Sequence, residues 1–133
     1  MIPRPPAARR APRQLRPEEI IQRQVVAHLR ARARPPLVFF HVPNGGGRSK
    51  AEAGILKAMG VLPGVADLAF ILPGGRAAFI ELKEPLGRQS ASQETFEAAA
   101  DNAGALYEIC TSLEQVEAVL AKWGVPLRGS LSA

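Results

Sequence analysis

The 133-residue chain has one cysteine, Cys110. A lone thiol can form no internal disulfide and cannot assemble a Cys-based zinc site. Its apolar surroundings read as those of a small packed hydrophobe. No apolar run approaches the roughly 20 residues of a membrane helix. The basic N-terminal residues are not followed by an apolar core of the kind a secretory signal needs. Together these absences lead to the expectation of a cytoplasmic protein. The glycines at Gly45 to Gly47 are not followed by G-K-[ST], which excludes a P-loop. No internal repeat is visible. The length suits one domain with one modest core.

Acidic residues are missing from positions 1–16, which carry Arg4, Arg9, Arg10, Arg13 and Arg16. That leaves 12 of the 17 basic groups facing 12 acids, so the net charge of +5 belongs to the arm and the body is neutral. The arm is proline-rich and lacks apolar periodicity, and is expected to be disordered or extended alone. It serves either as a tether to phosphates through counterion release or as a solubilising tail.

Downstream, the pattern predicts eight elements. A helix begins at Pro17, with Ile21, Val25 and Leu29 on one face, and stops at Pro35–Pro36. Residues 37–42 read as a strand, 43–49 as a loop and 49–59 as a short helix. Strands follow at 67–72 and 76–83, separated by Pro73-Gly74-Gly75. Ser92 is expected to cap a helix reaching about Asn102, with Phe96 and Ala99 or Ala100 facing the core. A strand over 105–110 precedes a helix capped by Ser112 and ended by Gly124. The order α-β-α-β-β-α-β-α predicts an α/β fold: a mixed four-stranded sheet flanked by helices. The expected domain spans 17–124, with a loosely held tail over 125–133.

Side chains alternate along a strand, so Phe79, Glu81 and Lys83 share one face and Ile80 and Leu82 the other. In an antiparallel hairpin, opposite residues have a constant index total. A three-residue loop pairs Leu72 with Arg76, a total of 148, which Asp67 and Glu81 share. Their Cβ atoms would then lie about 4.5–5.5 Å apart. A two-residue loop would put them on opposite faces. Two carboxylates that close repel unless a cation or a shared proton relieves them. Oxygen ligands suit Mg²⁺, and a divalent metal with a nearby ammonium, Lys83, suits phosphodiester hydrolysis. The alternative for D-x₁₃-E-x-K is a solvated strand surface.

The stretch GVADLAFILPGGRAAFIELK with the later SASQ resembles the PD-(D/E)XK nuclease superfamily, and more narrowly its VRR-NUC (virus-type replication-repair nuclease) family. The matching residues are Glu19-Ile20-Ile21-Gln22, Asn44-Gly45-Gly46, Gly64 with Asp67, Glu81-Leu82-Lys83, and Ser90 or Ser92 with Gln93. They lie within Glu18 to Trp123. The resemblance implies a PD-(D/E)XK-like fold and a metal-dependent, structure-selective DNA endonuclease. It implies Mg²⁺, which Mn²⁺ could replace, held by Asp67, Glu81, the Leu82 backbone carbonyl and Glu19. Lys83 would be the catalytic lysine, with Gln93 at the site edge. It further implies a homodimer acting on branched DNA such as four-way junctions. Ala66 stands where the superfamily has proline, a change of backbone rigidity that removes no ligand. A noncatalytic nucleic-acid-binding module on the same fold, or a restriction-type or exonuclease member, are the alternatives.

Other residues have two readings. Asn44 suits either a phosphate contact or a tight loop. Arg48, Lys50 and Lys57 suit either a phosphate track or a solvated helix face. Glu19 suits the helix dipole whatever its role. His41 reads as a hydrogen-bonded core group ahead of a catalytic one, His28 as structural, and Trp123 as packing. Glu52 and Glu84 match no motif.

Overall fold

The computed structural model describes residues 2–4, 6, 14–43, 49–125 and 127–128. Most of the basic arm, Asn44 and Arg48 lie outside them.

Helix α1 (Pro17–Arg32) starts with proline, carries Glu18 and Glu19 in its first turn and Arg30 and Arg32 in its last. Both charge placements oppose the helix dipole. Strand β1 (Val38–His41) follows, then α2 (Lys50–Ala58), capped by the Ser49 hydroxyl, which accepts the Glu52 amide N–H. Strands β2 (Leu68–Ile71) and β3 (Ala77–Leu82) form a hairpin. Helix α3 (Ala91–Asn102), strand β4 (Leu106–Cys110) and α4 (Leu113–Lys122) complete the order.

The sheet runs β1-β2-β3-β4, antiparallel except for the parallel β3–β4 pair. Pro73 and Gly74, at φ +97°, sit at the centre of the hairpin turn, and the Gly75 N–H donates to the Leu72 carbonyl. Proline followed by a positive-φ glycine is the chemistry of a type II turn. The Leu72 N–H donates to the Arg76 carbonyl at 2.9 Å. The three-residue loop therefore sets the expected register, and Leu68 faces Ile80.

One sheet face packs on α1 and α4. Its core includes Val25, Leu29, Phe70, Ile80, Leu82 and Leu120. Burying each of these large apolar side chains contributes about 1.5–3 kcal/mol. Trp123 packs edge-on against Phe70, as expected of a packing residue. The other face packs on α3, where Phe96 meets Phe79 edge-to-face at 4.9 Å, with Ala66 and Ala100 beside it. That geometry adds about 0.5–1.5 kcal/mol beyond burial.

Two local expectations change. The α3 cap is Ser90, not Ser92. Its hydroxyl accepts the Gln93 N–H while the Gln93 side chain accepts the Ser90 N–H, a reciprocal capping box. The chain just past α4 is tied back rather than loosely held. Val125 is buried, Leu127 bridges to Ala33, and the Arg128 N–H donates to the Arg32 carbonyl. These are pairings with α1's end, about ninety residues away in sequence and so invisible to local pattern. Residues 129–133 lie outside those described.

Candidate active site

Asp67 immediately precedes β2. Continuing the Leu68–Ile80 register by one residue sets it opposite Glu81. Its Oδ2 accepts the Leu82 amide N–H at 2.8 Å. That bond engages the Leu82 amide and leaves its carbonyl, the atom expected at a metal, out of the contact.

Glu81 and Lys83 share the α3 face, as alternation requires, yet both are buried, with relative exposures of 2% and 8%. The Lys83 N–H donates to the Cys110 carbonyl and extends the β3–β4 ladder by one residue, which holds its side chain inward. Its Nζ lies 3.6 Å from Glu81 Oε1. Gln93 Nε2 donates to the same Oε1 at 2.8 Å. The other oxygen, Glu81 Oε2, is buried with no hydrogen-bond partner. Burial pushes the Glu81 carboxyl up to about 8, the charge of Asp67 adds to this, and Lys83 offsets part of it. A buried carboxylate oxygen without a partner is costly, and here it stands beside a second acid.

Gly64 explains how the Asp67 segment reaches α3. Its φ is +80°, and a Cβ there would lie 2.2 Å from the Ser92 carbonyl oxygen. Only glycine permits so close an approach. The aspartate segment and the first turn of α3, which carries Gln93, are thereby pressed together.

Glu19 is placed differently. It lies on α1, accepts an ion pair from Arg16 at 3.2 Å, and lines a groove of about 790 Å³ that also includes Asp67. Among the described residues no group of three or more His, Cys, Asp or Glu is gathered closely enough to hold a metal ion. The structure brings together Asp67, Glu81, Lys83 and Gln93, and leaves Glu19 along the groove. Lys50 and Lys57 sit on α2, where no residue is buried. Asn44 and Arg48 lie outside the described residues.

Sequence reasoning missed three features. His41 is an exposed groove residue whose Nδ1 lies 2.6 Å from the Asp67 carbonyl oxygen. Arg23 and Arg30, spaced by seven on α1, line the same groove. Their helical spacing was the available signal. Near Glu81, Gln89 Nε2 donates to Tyr107 Oη and Glu97 Oε1, both at 3.1 Å. Burial, with the charge of Glu81, raises the Tyr107 phenol well above its usual range. Cys110 is buried, and its thiol is pushed up to about 11 chiefly by desolvation, consistent with packing.

The chain matches no family model and no curated protein. It does resemble solved structures. One, of a VRR_NUC domain protein, superposes with a TM-score of 0.67 at 20% identity, over 83% of this chain and 89% of that one. Another, of a VRR_NUC domain, gives a TM-score of 0.55 at 20% identity, over 80% and 97%. The fold is that of a VRR-NUC domain. The four-stranded mixed sheet with helices on both faces is accordingly PD-(D/E)XK-like. Within the VRR-NUC fold, the Asp67–Glu81 pair occupies the open end of the central hairpin, opposite its turn. No helix among the described residues is long and apolar enough to cross a membrane.

Proposed function

We propose that the chain is a metal-dependent DNA endonuclease that hydrolyses phosphodiester bonds in branched DNA such as four-way junctions, acting as a homodimer with Mg²⁺, or Mn²⁺ in its place. The observation that carries this reading is the Glu81 carboxylate. It is buried, has one unpartnered oxygen, and faces Asp67 across the hairpin with Lys83 beside it. The donor set is all oxygen and fits a hard divalent cation. Asp67, Glu81 Oε2 and the Leu82 carbonyl would hold it, with Glu19 reaching the site across the groove. Such an ion, when bound, supplies Lewis acidity at the phosphate and lowers the pKa of water.

The chain's own residues do the rest. Leu82 N–H fixes one oxygen of Asp67, and Gln93 fixes one of Glu81. Lys83 places a positive charge where negative charge develops on the phosphate. Arg23 and Arg30 on the groove wall would meet the phosphate backbone. For the dimer, the support is an open apolar strip on the α3 face. Val38 and Ile71 pair across β1 and β2 with both side chains exposed, and Phe40 is exposed beside them. A self-complementary patch on an edge strand suits an isologous contact.

A second reading, a noncatalytic nucleic-acid-binding module, is favoured by one observation: among the described residues, no third His, Cys, Asp or Glu side chain joins Asp67 and Glu81 in a group placed to hold a metal ion. One experiment separates the readings. Purified protein is incubated with labelled duplex, flap and four-way junction DNA, with and without Mg²⁺ or Mn²⁺. The endonuclease reading expects cation-dependent nicking, strongest on the junction. Binding without cleavage would establish the module instead, and cutting from ends would establish an exonuclease.

A further inference from the structure

His41 ends β1 and pairs in register with Leu68. It therefore stands beside Asp67, which falls just outside the β2 ladder. Strand ends fray, and a residue past the last ladder pair has no strand partner to hold its peptide plane. Here the His41 ring takes that place. Its Nδ1 lies 2.6 Å from the Asp67 carbonyl oxygen. A carbonyl only accepts, so Nδ1 carries the hydrogen. The ring is exposed on the groove, so this bond, not apolar packing, accounts for its position.

Asp67 is thus held at two points. His41 grips its main-chain carbonyl, and the Leu82 amide grips Oδ2. The first restrains the peptide plane from which the side chain springs, and the second restrains the side-chain rotation. Neither restraint alone sets where the carboxylate stands relative to Glu81.

We propose that His41 is a positioning residue: its Nδ1–H clamps the Asp67 peptide so that the Asp67 carboxylate is preorganised, with Glu81, to receive a divalent cation. The inference rests on the metal-dependent reading above. Groups that orient a ligand from behind typically change metal affinity by about 10–100-fold when removed. A site on a strand end depends more on such support than one inside a ladder.

The test is Mn²⁺ binding by the full chain, followed by calorimetry and by the rise in thermal midpoint over the value in chelator. Three variants are compared with the unmutated protein. His41→Ala removes the donor. His41→Asn keeps an amide N–H near the position of Nδ1. His41→Gln carries its amide one carbon further out. The expected result is a loss of Mn²⁺ affinity of about tenfold or more in His41→Ala and His41→Gln, with most of it recovered in His41→Asn. The midpoints in chelator should change little, because the ring is exposed. If His41→Ala fails to fold, the comparison of Asn with Gln decides alone. Equal Mn²⁺ affinity across the folded proteins overturns the clamp while leaving the metal reading intact. No Mn²⁺ binding by the unmutated chain overturns the metal reading, and the clamp with it.

Discussion

Gln93 Nε2 lies 2.8 Å from Glu81 Oε1 while Gln93 Oε1 accepts the Ser90 N–H at 2.8 Å. One amide therefore closes the capping box of α3 and anchors a buried acid in β3. A helix terminus and the candidate site share a side chain, so their stabilities are linked. Gln93→Ala should lose both the cap and a hydrogen bond to a buried group, a cost of about 1–3 kcal/mol. Urea unfolding measures it. A change no larger than that of an exposed α3 substitution such as Ala98→Ser would dissociate the two roles.

The raised Glu81 carboxyl gives stability a pH dependence. Its folded value is about 8 against an ordinary 4.5, so between these values the folded state binds the proton that the unfolded state has released. Stability from this group is complete below pH about 4.5 and is lost as pH rises through about 8. In chelator, Glu81→Gln should flatten the profile across that window and be more stable than the unmutated protein at pH 9. Parallel urea-midpoint profiles for the two proteins would show that Glu81 does not titrate this way.

Asp67→Ala and Lys83→Ala should each abolish Mg²⁺-dependent nicking of junction DNA, a loss beyond about 100-fold, with the fold retained. Nicking assays with circular dichroism on the same samples check both halves. Retained cleavage in either variant, with contaminating nuclease excluded, counts against the assignment.

Gly64→Ala should be among the most damaging single substitutions. The methyl group would meet backbone, not a yielding side chain, and φ +80° is strained for alanine. A loss of at least about 2 kcal/mol is expected, with amide exchange accelerating in the Asp67 segment and the first turn of α3. Unchanged exchange there would mean that the two segments are not held by this contact.

Deleting residues 1–16 should weaken DNA binding and flatten its salt dependence, each lost phosphate contact removing about 0.9 from the log–log slope. Arg23→Ala with Arg30→Ala should flatten it separately, if the groove wall meets the backbone. Filter binding in chelator across a salt series reads both. An unchanged slope after deletion would assign the arm to solubility.

Much of this was legible because it is local. The strand alternation, the proline start of α1, the Ser112 cap and the three-residue hairpin loop all act within a few residues, and the alternation and the loop set Asp67 against Glu81. Ser90 in place of Ser92 was a local error of two positions: both serines can cap, and only Ser90 is spaced to share the box with Gln93. The position of His41 was less accessible. Its reading as a core group followed from an apolar strand, and its exposure follows from that strand lying at the sheet edge.

By itself the sequence determined the order of elements, the hairpin register and the face shared by Glu81 and Lys83, since backbone periodicity and loop length decide these without distant partners. Only the tertiary structure decided that both side chains would be buried, that Gln93 and His41 would brace the acids, and that Glu19 would stand along the groove. Those outcomes depend on which layers cover which face, and that is settled by packing between segments far apart in the chain.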